Sequence, residues 1–274
     1  MTFKSLPVLR DELRRLASLD LVRHLRFTDD NFTANRKRLT AVLHMMIEEG
    51  FPFTWSSFAR ASALDEELVA LMKRAGCEFV DMGIESGSQT ILDNMDKRLE
   101  RKQSMAAIRM LNDHGIIGRG SFIVGYPGET EATFMETVDL INESRLPYYH
   151  PYLFYYSRNT LIHRERKVFG LEGLGLAWRH RTMDAVKAAD LLSGMPGLVD
   201  PGLTDGQTYI EEIYKLLRGR GFSQEEIREL FALKRELKLA PERKGAEGPS
   251  AGEARILNRM ARVMGHKSRK TQPA

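Results

Sequence analysis

An acid that closes a short apolar run, followed at once by small hydroxyl residues, is a group placed to meet a ligand. Asp81-Met-Gly-Ile-Glu-Ser-Gly-Ser88 has that form. The apolar run at Phe79–Val80 is too short to bury itself as a helix, so it reads as a buried strand ending in a polar turn. Glu85 then stands at the strand's C-terminal mouth, with Ser86, Gly87 and Ser88 leading to a helix that starts near Gln89. In an α/β barrel or open α/β sheet that mouth is where ligands bind. A solvated strand end with an ordinary Ser/Gly cap has the same letters, and the pattern by itself does not separate the two.

Two neighbouring stretches have the same grammar. Leu25-Arg-Phe-Thr-Asp-Asp-Asn-Phe-Thr33 is a short strand ending in polar groups, and Gly118-Arg-Gly-Ser-Phe-Ile-Val-Gly-Tyr-Pro-Gly-Glu-Thr130 closes a third strand in a Gly/Pro turn. Asp30 and Asn31 stand at the strand's end, where an Asp or Asn before the helix that follows would satisfy its orphan N–H groups. Arg60 ends a strand at Phe53–Ala59 and suits a carboxylate, or solvent. Gly125 permits close backbone approach, and Pro127-Gly128 makes a tight turn. Tyr152 and Phe154 offer a stacking face or core packing in equal measure.

The elements that must hold these residues alternate. Strands are expected near residues 25, 53, 79, 121 and 150. Helices are expected at Pro7–Leu19, at Thr33–Gly50, after an Asp65 cap up to Gly76, from Gln89 to about His114, and at Glu131–Ser144. Leu39, Val42, Leu43, Met46 and Ile47 fall on one helical face. Strand then helix with short turns argues for a parallel sheet with helices outside. Beyond Thr160 the character changes. Leu161–Leu176 reads as irregular, Trp178–Leu192 as a helix, Gly194–Gly206 as a loop, and Thr208–Arg218 and Ser223–Leu239 as helices. Ser223 with Glu226 forms a capping box. Three parts are expected: a barrel over residues 1–160, a helical region over 161–240, and a basic disordered tail over 241–274, with a short helix from Glu253 to Met264.

At 42% hydrophobic and 28% charged residues, the 274-residue chain has the make-up of an ordinary globular protein. Met1–Asp20 mixes charge through its apolar positions, no run approaches the ~20 residues that span a bilayer, and a cytoplasmic location with no membrane partner is expected. The tail beyond Pro241 holds eight Lys/Arg and three Asp/Glu, so it accounts for the whole +4 net charge and leaves the body close to neutral. Nucleic-acid binding is therefore not expected. The single cysteine, Cys77, makes no internal disulfide, cannot hold a metal cluster alone, and reads as a small buried apolar residue. No metal ligand is assigned.

Strand ends of the types Asp29-Asp-Asn-Phe-Thr33, Gly83-Ile-Glu-Ser-Gly-Ser88 and Gly125-Tyr-Pro-Gly-Glu-Thr130, in this order, resemble the radical S-adenosylmethionine (SAM) superfamily in its cobalamin-associated branch. Tyr156–Thr160 and Trp178-Arg-His-Arg-Thr-Met183 are most similar to the phosphinate P-methyltransferase type. The resemblance implies an α/β fold: a partial (β/α)6 TIM-like barrel missing its first strand, followed by a small helical C-terminal region. It implies S-adenosyl-L-methionine bound by Asp30, Asn31, Arg60, Glu85, Ser86 and Gly125, with Glu85 on the ribose hydroxyls and Asp30 on the ammonium. A [4Fe–4S] cluster on a C-x3-C-x2-C segment and a cobalamin are expected of the family. Neither binding segment occurs in these residues. The expectation is thus a methyltransferase-like enzyme for a small-molecule substrate in truncated or split form, with a separate cluster- or cobalamin-binding polypeptide as partner. The alternative is a non-catalytic remnant or partner subunit, and on either view this chain alone is expected to be inactive.

Overall fold

The computed structural model describes residues 3–19, 22–199, 210–240 and 248–268. The chain divides into two compact units, Met1–Gly202 and Leu203–Ala274.

The first unit opens with α1 (Leu6–Ala17), which has Pro7 in its first turn, and β1 (His24–Arg26). Helix α2 (Arg36–Glu49) is capped by Asn35, whose side chain accepts from the Arg38 N–H, and stops at left-handed Gly50. Asp30 and Asn31 are therefore left outside the cap and free for another task. Next come β2 (Thr54–Ala59), a 3₁₀ turn at Ala61–Ala63 and α3 (Glu66–Arg74), with Asp65 as N-cap. They are followed by β3 (Cys77–Glu85), α4 (Gln89–Asn94), α5 (Arg101–Asp113), β4 (Ile117–Val124), α6 (Glu131–Ser144) and β5 (Tyr148–Leu153).

The five strands pair in sequence order, all parallel, as a curled half-barrel. Side chains alternate across it. Trp55, Val80, Met82, Ile84, Phe122, Val124 and Tyr149 point to the helices and form one core with Leu43, Met46, Leu68, Met72, Ile108, Phe134 and Ile141. The opposite face is polar in register: Arg26 beside Ser56, Asp81 beside Arg119, Gly83 beside Ser121 and Ser121 beside His150. Among the described residues the outer edge of β1 has no strand partner, an arrangement that leaves backbone groups open to pairing.

After Thr160 the structure departs from the expected pattern. Leu161–Arg164 and Arg166–Phe169 are short helices (α7, α8), and Glu172–Leu174, Ala177–His180 and Met183–Asp184 (β6, β7, β8) form an antiparallel ribbon. Trp178 is thus in a strand, where a helix was expected. Trp178 and His180 are buried while Ala177 and Arg179 are exposed, a period of two. The helix starts only at Ala185, because the Asp184 carboxylate caps it by accepting from the Lys187 N–H. This helix, α9 (Ala185–Leu198), continues through Gly194, Pro196 and Gly197, where a loop was expected, because buried Met195 holds its last turn in the core. The rest of that expected loop lies outside the described residues.

In the second unit, α10 (Ile210–Gly219) precedes α11 (Gln224–Leu239), whose Ser223/Glu226 capping box forms as expected. Helix α12 (Ala251–Ser268) packs on α11 with an Arg259–Glu229 pair at 3.1 Å, so helix extends beyond the Glu253–Met264 expectation. Residues 241–247 and 269–274 of the expected tail lie outside the described residues. Among the described residues no helix is long and apolar enough to cross a membrane.

Candidate functional site

The three motif loops are locked in place by their own small residues. In the first, Thr33 Oγ1 donates to Asn31 Oδ1 at 2.7 Å and accepts from the Arg60 N–H at 3.2 Å, while the Phe32 N–H donates to the Phe58 carbonyl. Asn31 thereby fastens its loop to the end of β2, and Asp30 is left exposed at the mouth.

In the second, β3 carries a bulge between Gly83 and Glu85, and Glu85 itself is left-handed at φ 70°. The turn beyond it is tied to α6. The Gly87 N–H donates to Thr137 Oγ1 at 2.8 Å, Ser86 Oγ lies 3.3 Å from the same oxygen, and the Ser88 N–H donates to Ser86 Oγ. Gly87 must be glycine, since a Cβ there would lie 2.5 Å from Thr137 Cα and run into the Glu136 carbonyl oxygen.

In the third, buried Glu129 accepts from the Gly125 N–H. Burial pushes its carboxyl up to about 7, against the lowering effect of that hydrogen bond. The ribbon closes over this turn. His180 Nε2 lies 3.3 Å from the Gly125 carbonyl oxygen, Thr182 Oγ1 donates to the Glu129 carbonyl at 2.6 Å, and Trp178 Nε1 donates to the Phe154 carbonyl at 2.8 Å. Desolvation holds the His180 imidazole below its ordinary range.

Asp30, Arg60 and Glu85 meet. Together with Asp81, Gly83, Lys97 and Ser121 they line a cavity of about 290 Å³ at the C-terminal ends of β2 and β3. Its floor is Asp81, buried and held by Arg26 at 2.9 Å and by both Nε and Nη2 of Arg119. Its wall carries a Glu85–Lys97 pair with Nζ to Oε1 at 2.7 Å. A larger groove of about 430 Å³ beside β1 is lined mainly by apolar side chains of α1, β1 and α2, and Asn31 opens there instead. The smaller cavity is the chemically equipped one: Asp30, Asp81 and Glu85 line it together with Arg60 and Lys97, which suits a ligand bearing both charges and hydroxyls.

Ser86 and Gly125 are not in the cavity lining. Ser86 is fully buried against α6, and the space a Cβ at Gly125 would take is occupied by Trp178 and Ala188. Phe154 is core, whereas Tyr152 is exposed and stacks on His150 at 4.2 Å. Sequence reasoning missed Lys97, whose only signal is a basic residue in the short loop between α4 and α5.

That loop is unusual. Asp96 (φ 48°) and Arg98 (φ 51°) flank Lys97, both left-handed, so three of the four non-glycine residues with positive φ among the described residues surround one ion pair. Each costs roughly 1–3 kcal/mol. The pair is partly exposed, 21% for Glu85 and 27% for Lys97, and a pair so placed stabilises by about 0–1 kcal/mol. Stability alone does not account for the loop.

The described residues offer no donor set for a metal cluster. Cys77, the chain's one thiol, is buried among the core side chains, and no group of His, Cys, Asp or Glu converges elsewhere among them.

Comparison with known proteins places these features. A profile described as the radical SAM superfamily matches residues 1–141. An uncharacterized methyltransferase of Pyrococcus horikoshii is 32% identical over 127 residues, 46% of this chain and 28% of the relative. Bacteriochlorophyllide d C-12(1)-methyltransferase of Chlorobaculum tepidum is 29% identical over 150 residues, 53% of this chain and 32% of the relative. The chain thus spans about a third or less of the curated relatives' length. Among solved structures, the radical S-adenosylmethionine methyltransferase TsrM from Kitasatospora setae, with cobalamin and a [4Fe–4S] cluster bound, aligns over 98% of this chain and 57% of its own. The TM-score is 0.62 at 14% identity, a likeness of fold.

Proposed function

This chain belongs to the radical SAM superfamily, and from that premise we propose that its half-barrel is the SAM-binding part of a methyltransferase-like enzyme acting on a small molecule. The superfamily works with SAM and a [4Fe–4S] cluster, and the related chains are methyltransferase-like.

The observation that carries the reading is the convergence of Asp30, Arg60 and Glu85 on one cavity at the C-terminal strand ends. SAM presents an ammonium, a carboxylate, a ribose diol and an adenine. In this reading Glu85 accepts from the ribose hydroxyls, Asp30 accepts from the ammonium, and Arg60 meets the carboxylate. Asn31 and Ser86 support these contacts by fixing the loops of Asp30 and Glu85, and Gly125 by admitting the ribbon against the third turn. When bound with its cluster, SAM supplies a carbon-centred radical; the chain's own part is to bind and orient the nucleoside and to shield it from water.

The cluster does not fit the residues present, because one buried thiol cannot replace three accessible thiolates. Radical chemistry at this site therefore calls for thiolates from outside residues 1–274, from a further segment or a partner polypeptide, and the 274-residue chain alone binds nucleoside without cleaving it. Titration of the full chain with 5′-methylthioadenosine by calorimetry tests the reading. Saturable binding that Glu85→Ala weakens by about tenfold or more supports it. Absence of binding in the millimolar range, or an indifferent Glu85→Ala, overturns it.

A further inference from the structure

The layer that follows β5 carries a surface without a task in the scheme above. Five of the fifteen large apolar side chains that stand exposed among the described residues lie in one short stretch of it: Tyr155, Leu161, Val168, Leu174 and Leu176, at 41% to 70% exposure. The backbone gathers most of them. Tyr156 and Gly175 exchange two backbone hydrogen bonds, at 3.0 and 2.9 Å, which sets Tyr155 beside the Leu174–Leu176 turn between β6 and β7. A Cβ on Gly175 would stand 3.7 Å from the Tyr155 ring. Tyr156 Oη lies 2.7 Å from His163 Nδ1, which brings α7 and its Leu161 to the same place. Buried Ile162, Leu171 and Trp178 anchor the layer to the core, so its apolar positions divide into an inner set and an outer one.

Cations share the layer. Residues 155–181 hold six Lys/Arg against two Asp/Glu, in a body whose total is close to neutral. Arg179 is engaged by Glu172 at 2.6 Å, and Arg166 and Arg181 reach backbone carbonyls at 2.8 and 3.3 Å. Arg158, Arg164 and Lys167 are exposed and form no ion pair among the described residues, with Glu165 as the acid in their midst.

We propose that this layer is a peripheral membrane contact: the Leu174–Leu176 turn, with Tyr155 and Leu161, enters the headgroup region of an anionic lipid surface while Arg158, Arg164 and Lys167 meet its phosphates. Charge complementarity selects the partner. Anionic headgroups attract a cationic layer, and the acyl boundary takes up aliphatic side chains that polar nucleic-acid interfaces have little place for. A fluid surface also accepts side chains that project singly and line no groove. Such a contact needs no spanning helix, so the expectation of no membrane partner, drawn from the lack of a long apolar run, does not bear on it. The inference is independent of what the cavity binds.

The test is co-sedimentation of the full chain with vesicles of phosphatidylcholine alone and of phosphatidylcholine mixed with phosphatidylglycerol. The wild type partitions onto the mixed vesicles about tenfold or more above the neutral ones. Leu174→Ser with Leu176→Ser lowers that partition by about tenfold or more, through lost apolar insertion. Arg158→Ala with Arg164→Ala does the same through lost attraction. All four side chains are exposed, and a wild-type thermal transition shows that the variants fold. Leu176→Trp adds a direct readout, a blue shift of its emission on the mixed vesicles; it decides the matter if the serine pair disturbs folding. The residues beyond Pro241 are also basic, so binding that survives both double variants places attachment there and overturns the proposal. An unshifted Leu176→Trp emission, or no sedimentation with the mixed vesicles, overturns it as well.

Discussion

Trp178 lies directly against Gly125: a Cβ added to the glycine would stand 2.5 Å from the indole Cη2. The indole also stacks on His180, within 1° of parallel, and bonds the Phe154 carbonyl at the end of β5. One side chain of the ribbon therefore ties together the C-terminal ends of β4 and β5. Gly125→Ala combines a left-handed backbone (φ 88°) with that collision, and the expected loss is about 3 kcal/mol. Trp178→Phe keeps most of the packing but orphans a buried carbonyl, for about 1–3 kcal/mol. Urea unfolding of the two variants checks the order; a Gly125→Ala protein as stable as wild type would mean the ribbon does not pack as described.

Glu129 lies beneath the same turn, and its carboxyl, pushed up to about 7 by burial, makes stability depend on pH. The unfolded carboxyl titrates near 4.3, so between that pH and about 7 the folded state holds a proton that the unfolded state has lost. Its contribution is complete below about 4.3, falls as pH rises, and is gone above about 7, for a total of about 3 kcal/mol. His180 works the other way. Its depressed pKa leaves the folded ring neutral where the unfolded ring is charged, so its contribution is lost as pH falls through the unfolded value near 6.5. The two slopes oppose each other below about 6.5 and are separated by substitution. Glu129→Gln should decline less than wild type between about 6.5 and about 7, where the wild-type carboxyl is still losing its proton, as read by unfolding free energy against pH. An identical slope in both proteins would place the titration elsewhere.

Gly87 tests why the second motif needs its small residues. An alanine methyl would meet backbone on α6, the Glu136 carbonyl oxygen and, at 2.5 Å, Thr137 Cα, and backbone cannot rotate out of the way. Gly87→Ala should cost about 3 kcal/mol and, by displacing Glu85, weaken 5′-methylthioadenosine as well. Thr137→Val, which removes the hydroxyl bonded to the Gly87 N–H at 2.8 Å, should give a milder version of both effects. Stability lost with nucleoside affinity intact would mean that the turn does not position Glu85.

The half-barrel was legible because its strands and helices follow their periods closely, and because Gly50, Asp65 and Gly115 mark boundaries. Strand-end charged residues were legible to the extent that they announce themselves: Asp30, Arg60 and Glu85 line one cavity. What stayed hidden had physical causes. Trp178 and His180 lie in a stretch whose apolar residues suit a helix, and only the alternating burial created by Gly125 and Phe154 reveals a strand. Asn31 and Ser86 look like ligand contacts because small polar residues at strand ends serve equally to lock loops, as they do here. Lys97 was invisible because its approach to Glu85 depends on two left-handed residues that no sequence rule would assign to Asp96 and Arg98.

Arg60 provides the sharpest division of labour within the cavity. It is exposed at the end of β2, its backbone N–H held by Thr33 and its guanidinium reaching only a long 3.5 Å contact to the Lys97 carbonyl. Nothing structural depends on that guanidinium, so Arg60→Ala should fold with wild-type stability. If it meets the SAM carboxylate, the variant loses about tenfold in SAM affinity and nothing for 5′-methylthioadenosine, which lacks the carboxylate. Asp30→Asn should give the same selectivity through the ammonium, and the double variant should approach the affinity of 5′-methylthioadenosine itself. Glu85→Ala should weaken both ligands alike, because both carry the ribose. Equal losses for both ligands in Arg60→Ala would move the arginine from the amino-acid end of SAM to the nucleoside.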